Sequence, residues 1–382
     1  MSFIIYNKCY LLITTLNIVL SYKTLNQSFI IQYNSPKIDV FFGTPGQNQN
    51  IQLSLTYPRT WVSPGTYEIA NSSTGIRIKE DIMFPSDVRM SLFGFEARDV
   101  MKMNDTEITM DFFVLKSGIV FQFGIIGLAR EFEDEKYSFI HQLKKNNLID
   151  YNAFGFDFDN STIYFGKFPY EKYSKDKYKI SSCDVTIRED RPKENWACEL
   201  DRVFYISNNT KKVFYNNHIY SHFSISSMII APDSFLSFLN ETQFKIPITN
   251  NKCEFTSLKE YECDEDIIDS FGNLYFVFNG VGFMLNNKIL WNKKQNRYSY
   301  GIQGGFHVFT GMKDEWILGS KAWQVANTEF DYDKQKVSFI IPLESILILN
   351  KKIINRIYIM IILLSVFEII ILSINLCGLN NK

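Results

Sequence analysis

Hydrolysis and group transfer need a nucleophile or general base held against a group that stabilises developing charge, and few side chains qualify. The chain has only 4 His, and it contains no HExxH, CxxC or GxSxG. A zincin, a thiol-redox pair and a nucleophile-elbow hydrolase are therefore excluded. His218 and His222 have the spacing of two ligands on a helix. Val, Ile, Tyr and Phe crowd around them, which predicts a strand and puts both rings on one face without a helical ligand pair. No metal site and no cofactor is expected. The acidic run EFEDEKY (131–137) reads as a solvated loop before a helix rather than a cation site. The run KFPYEKYSKDKYK (167–179) mixes Lys with Tyr and reads as a solvated linker, not a polyanion contact. Trp196, near Cys198, reads as core packing.

The elements that position such groups must come from a chain of 382 residues with 40 Lys+Arg and 41 Asp+Glu, a net charge of −1. That balance argues against nucleic acid as a partner, because phosphate binding needs a basic excess. Apolar residues make up 46%, with 34 Phe and 21 Tyr, enough for a large core and too many for a disordered chain.

Both ends read as membrane signals. Residues 9–20 form a short apolar run after Lys8, too short to span a bilayer and suited to a signal-peptide core, so residues 1–21 are expected to be a cleaved signal. Residues 353–376 hold a run long enough to cross a bilayer, and a transmembrane helix is expected there. Glu368 interrupts it at a cost of roughly 2.5–3.5 kcal/mol, which the apolar neighbours offset. The body is thus expected to be lumenal or extracellular, on a secretory-pathway or cell-surface membrane, as a single-pass protein. A lipid-anchor signal is the alternative, but LILNKKIINR lacks its small residues.

Sequons at Asn26, Asn71, Asn104, Asn160, Asn208 and Asn240 all lie between the two ends, which fits a glycoprotein. Cys9 and Cys377 fall in the terminal segments. Cys183, Cys198, Cys253 and Cys263 remain, an even number that suggests two bridges. Pairing within 183–198 and within 253–263 is one of three connectivities.

Between residues 28 and 342, short runs rich in Ile, Val, Phe and Tyr are cut by Asn, Gly, Pro and Asp, which predicts strands at 37–42, 51–55, 74–79, 108–115, 152–158, 162–166, 203–206, 274–278 and 336–341. Residues 138–148 and 233–239 read as helices. The class is all-β with a few short helices. GIIGL at 124–128 and ILGS at 317–320 each set two apolar residues before a Gly, as buried strands do where another backbone approaches closely. Two copies suggest two lobes of similar build.

These segments resemble the pepsin-family aspartic proteases. IDVFFGTPGQNQNIQLSL (38–55) resembles that family's opening strand, Gly-Thr-Pro turn and strand, and Trp61-Val62 stands where it has Trp-Val. GIIGLAR with SFIHQLKKNNLI, FGFDFDNSTIYFGKF (154–168) and ILGSKAWQVANTEFDYDKQKVSFI (317–340) resemble later segments in order. Cys253 and Cys263 match a disulfide that the family's second lobe often carries. The resemblance covers about 35–342. It implies a bilobal pepsin-like fold, with an N-lobe at 35–168, a C-lobe at 180–342 and a cleft between them.

It also implies two carboxylates sharing one proton, one from an Asp-Thr-Gly or Asp-Ser-Gly loop of each lobe. Counting back from Trp61, the first falls on Ser54, or on Leu55 with one residue deleted. Counting from Ala231-Pro232, the second falls on Phe223 or Ser224. No Asp or Glu occurs from Val40 to Tyr67 or from Arg202 to Pro232, and no Asp-Ser-Gly or Asp-Thr-Gly occurs anywhere. The family's flap Tyr has Phe84 or Asp87 in its place. The expectation is a monomeric, membrane-anchored, glycosylated pseudoprotease that binds a peptide or protein in its cleft. The alternative is an aspartic-type endopeptidase with an atypical active site.

Overall fold

The computed structural model describes residues 22–348 except 33–34, 64, 85–91, 118–123, 131–133, 188–194, 208–209, 215–218, 225–228, 257–259, 295–296 and 305–314. Apolar residues at alternate positions write the strands. In Ser35–Phe42, Ile38, Val40 and Phe42 are buried while Asp39 and Phe41 face out. The strand expected at 37–42 is this one. Those expected at 108–115 and 336–341 are Thr106–Ser117 and Lys336–Pro342, and the helices are Phe139–Lys145 and Asp233–Leu239.

The first half builds one eight-stranded sheet in the order Ile30–Gln32, Ser35–Phe42, Gln47–Ser54, Ile125–Gly127, Trp61–Val62, Thr106–Ser117, Leu92–Met103, Ile76–Phe84. The second half builds three smaller sheets. One of five strands runs Ala197–Leu200, Ile219–Phe223, Trp316–Leu318, Ile229–Ala231, Ile302–Gly304. A second five-stranded sheet is centred on Asn273–Phe278, and a four-stranded one carries Cys253–Phe255 and Tyr261–Cys263.

A six-stranded antiparallel sheet joins the halves, in the order Leu25–Ser28, Thr162–Phe165, Ala153–Asp157, Asn327–Asp331, Lys336–Pro342, Tyr178–Asp184. Its central seam pairs Phe154 with Phe330 and Phe156 with Thr328. The two hairpins that meet there turn alike. The Asp157 carboxylate accepts the Asn160 N–H at 3.1 Å, and the Asp331 carboxylate accepts the Lys334 N–H at 2.8 Å. In each case the acid holds the turn three residues on, the local bond that suits Asp to turns. Phe154, Phe330, Trp196 and Phe223 run on as one buried aromatic cluster beneath this sheet.

The disulfides are Cys183–Cys198 and Cys253–Cys263. The first ties the six-stranded sheet to the neighbouring five-stranded one, and the second closes a hairpin in which the two Cys are cross-strand partners.

The expected membrane architecture is corrected. No helix among the described residues is long and apolar enough to cross a membrane. The longest helical run, residues 233–249, carries Asp233, Glu241 and Lys245 and exposes them, whereas a span needs about 20 consecutive apolar residues. The signal expected at 1–21 and the span expected at 353–376 lie outside the described residues. Over the described residues the fold class is all-β, with no transmembrane helix among them. Nothing among the described residues supports the expected membrane partner, the membrane-anchored function or the single-pass placement at a secretory or cell-surface membrane.

The Lys-Tyr run at 167–179 is also not a plain solvated linker. Phe168, Tyr170, Tyr173 and Tyr178 pack with Tyr164 and Ile340 against the joining sheet. Tyr170 donates a hydrogen bond to Glu329. Burial pushes both groups' pKa values up.

Candidate active site

Two strand devices of the same pattern stand one in each half. In the first, Gln47–Ser54 runs parallel to Ile125–Gly127, with Leu53 opposite Ile126 and Ser54 opposite Gly127. Trp61–Val62 returns antiparallel to Ile125 and lies parallel to Phe113–Val114. In the second, Ile219–Phe223 runs parallel to Trp316–Leu318, with Phe223 opposite Leu318. Ile229–Ala231 returns antiparallel to Ile317 and lies parallel to Ile302–Gly304. The doubled apolar-apolar-Gly segments are thus the middle strand of each device.

Superposing the two ladders makes Ile125 the equivalent of Ile317, Leu53 of Phe223, and Ser54 of Ser224. Leu55 and Phe223 are core residues, 1% and 2% exposed. The Phe223 ring packs against Phe278, Phe330 and Phe339. Ser54 is the last residue of its strand, and Ser224 directly follows the end of the other.

Ser54 is buried and bound on several sides. Its Oγ accepts the N–H groups of Thr56 and Tyr57 at 3.2 and 3.3 Å, and lies 3.1 Å from Thr56 Oγ1. Its carbonyl accepts the Leu128 N–H at 2.7 Å. Gly127 passes so close to the loop that a Cβ there would lie 2.4 Å from the Arg59 nitrogen. Only Gly permits that approach. Thr60 Oγ1 accepts the Gly127 N–H at 3.3 Å. Tyr57, Trp61, Phe113 and Tyr137 then form a separate aromatic cluster beside the loop, with Arg59 over the Tyr137 ring.

Ser224 is half-buried. Its N–H donates to the Leu318 carbonyl at 3.0 Å, and its own carbonyl accepts the Trp323 indole N–H at 3.2 Å. Trp323 follows Gly319 on the short helix Ser320–Trp323.

The halves are clamped immediately after Gly127. The Leu128 carbonyl accepts the Trp196 indole N–H and the Tyr332 hydroxyl, both at 2.8 Å. Arg130, 2% exposed, donates to the Asn195 carbonyl and to Gln335 Oε1, both at 2.7 Å. Burial drives the Tyr332 hydroxyl's pKa far up, against the pull of Arg130. Nothing in the sequence around Arg130 points to partners 65 and 205 residues away. The one signal is a lone cation directly after the apolar run GIIGLA.

Among the described residues no group of three or more His, Cys, Asp or Glu could hold a metal. In the acidic run, Asp134 caps the turn Glu135–Tyr137. His218 and the flap residue Asp87 lie outside the described residues. Asn26, Asn71, Asn104, Asn160 and Asn240 are exposed, and Asn208 lies outside the described residues. Phe84 ends the Ile76–Phe84 strand.

No curated protein matches the chain. The family model described as eukaryotic aspartyl protease matches residues 37–340, well over half of the sequence, and the chain belongs to that family.

Proposed function

We propose that this chain acts on peptides as an aspartic-type endopeptidase with an atypical active site. The observation that supports this reading is the doubled strand device, with Ser54 and Ser224 at equivalent strand ends, in a chain of the aspartyl protease family. Two backbone N–H groups and the Thr56 hydroxyl converge on Ser54 Oγ. In this arrangement those donors fix the Ser54 hydroxyl in place. The arrangement does not by itself supply a base, so a proton acceptor would have to come from outside the two loop ends.

A second reading, a divergent member without catalysis, is favoured by one observation: the absence of any Asp or Glu from Val40 to Tyr67 and from Arg202 to Pro232. A serine hydroxyl cannot take water's proton at acid pH. The two readings part in one assay. The purified protein is incubated with a peptide library at acid pH, with and without a statine-type inhibitor. Cleavage that is lost in Ser54→Ala or Ser224→Ala supports the endopeptidase. No cleavage under any condition supports the inactive member. Cleavage that survives both substitutions would defeat the assignment of the site to these strand ends.

A further inference from the structure

We propose that the Lys321 side chain is a modification site, an amine that accepts an acyl group from a thioester. The peptide reading does not use this residue, and the two proposals are independent.

The surroundings of the amine carry the inference. Lys321 lies on the short helix Ser320–Trp323, just after Gly319, and is half-buried. Its Nζ donates to the Ile289 carbonyl at 3.3 Å and to Asn292 Oδ1. Both acceptors are neutral. An ammonium has three N–H donors, and the third has no acceptor among the described residues. Gly301 passes beside the side chain, where a Cβ would lie 3.5 Å from both Cδ and Nζ of Lys321. The segment 287–301, which supplies these neighbours, contains Lys288, Lys293, Lys294, Arg297, Tyr298 and Tyr300 but no Asp or Glu. Lys321 makes no ion pair among the described residues. Lys252, by contrast, is 2.8 Å from Asp266 and 3.7 Å from Asp264.

A half-buried cation without a counterion gives up its charge readily. Burial alone lowers the Lys321 pKa, to about 8, while the bond to Asp266 raises that of Lys252. The neutral amine keeps two N–H groups for its two acceptors and gains a lone pair in place of the third proton. Burial makes nucleophiles of lysines in this way. The acceptors also select the acyl class. An amide retains one N–H for Ile289 or Asn292. A neutral imine, the product with an aldehyde, has none and would leave both acceptors without a donor, which is costly away from water. In the transfer, the lone pair attacks the thioester carbonyl carbon. The C–N bond forms, the C–S bond breaks, and the thiolate leaves and takes up the amine's proton.

The probe is the acetyl thioester of N-acetylcysteamine, added to the full chain at pH 7.5. Acetylation at each lysine is read by mass spectrometry of chymotryptic peptides. Lys321 should react about fivefold faster than Lys252. Its rate should level off above pH 8, while that of Lys252 still climbs at pH 10. In the urea-unfolded chain the two rates should converge. Asn292→Asp sets a carboxylate against the amine in a side chain of the same size, and should slow Lys321 about tenfold with Lys252 unchanged. A Lys321 that reacts no faster than Lys252, a Lys321 rate that climbs past pH 10, or full reactivity in Asn292→Asp would overturn the proposal.

Discussion

The strand ends at Ser54 and Ser224 are equivalent in ladder, direction and sequel, yet they are held differently. Ser54 is buried, with its hydroxyl gathered in by two backbone N–H groups. Ser224 is half-buried, and its backbone is bound by Leu318 and the Trp323 indole. The sheets around them differ as well, one of eight strands in the first half and three smaller ones in the second. The framework that brings the two ends to matched positions is therefore stricter than the chemistry at the ends. Strand pairing fixes many residues at once, whereas the residue at a strand end answers only to its own loop.

The substitution that would most sharply break this comparison is the double change Ser54→Asp with Ser224→Asp. If the two ends face a common substrate, the pair should raise statine-sensitive cleavage at pH 3–5 by about 10²–10⁴-fold, the usual contribution of acid–base catalysis. Either single change should give none of this, since the chemistry needs two carboxylates. A gain from one alone would show that an acid elsewhere completes the site. At Ser54 the N–H groups of Thr56 and Tyr57 are already aimed at the oxygen, so the new carboxylate there should titrate below its ordinary range.

Next in size is the disulfide asymmetry. Both bridges involve residues from 183 onward and span 15 and 10 residues. On the chain-entropy account, removing Cys183–Cys198 by paired Ala substitution should cost about 3 kcal/mol, and removing Cys253–Cys263 slightly less. Hydrogen exchange after reduction should show protection lost first in the second half, with the eight-stranded sheet keeping its own. Uniform loss across both halves would mean that the two unfold as one unit.

A smaller effect is expected at Gly127. A methyl group there meets the Arg59 backbone, which cannot swing aside as a side chain would. Gly127→Ala should destabilise by about 1–3 kcal/mol in urea unfolding. A neutral result would show that the 54–61 loop moves freely.

The smallest expected effect concerns Glu329. Burial raises its folded pKa, against the hydrogen bonds from Tyr170 and Phe168. A carboxyl with a raised folded pKa binds its proton more tightly when folded. It therefore favours folding fully below its unfolded value, and loses that contribution as pH rises through the folded value. Glu329→Gln should accordingly be the more stable protein at pH 7. Its advantage over the parent should shrink as pH falls toward 4, read as the difference in unfolding temperature. A growing advantage on acidification would reverse the sign and refute the account.

Much of the framework was legible because alternation and paired Gly motifs are local signals. GIIGL and ILGS mark the middle strands of both devices, and Ser35–Phe42 is readable from alternation alone. The one-residue uncertainties at Ser54/Leu55 and Phe223/Ser224 arose because a sequence count cannot place a gap. Strand parity supports Ser54 and Ser224 as the matched pair proposed above. A slip of one turns every side chain to the other face, and Leu55 and Phe223 belong to the core. Other features depend on contacts that no local pattern encodes. The Tyr residues of 167–179 resemble a polar linker until Ile340 comes to lie under them. Arg130 finds its acceptors at 195 and 335 only after the halves have met.

The seam of the joining sheet has a consequence for any attempt to divide the molecule. Ala153–Asp157 receives its hydrogen bonds on one side from its own hairpin and on the other from Asn327–Asp331. Cut apart, each half would bare a row of unpaired backbone groups on a strand rich in Phe. Such an edge is a template for whatever strand reaches it first. The strand most like the missing partner is the one already there, on another copy of the same half. Isolated halves would thus be driven to self-association, and the covalent joining of two similar halves in one chain keeps that edge permanently occupied.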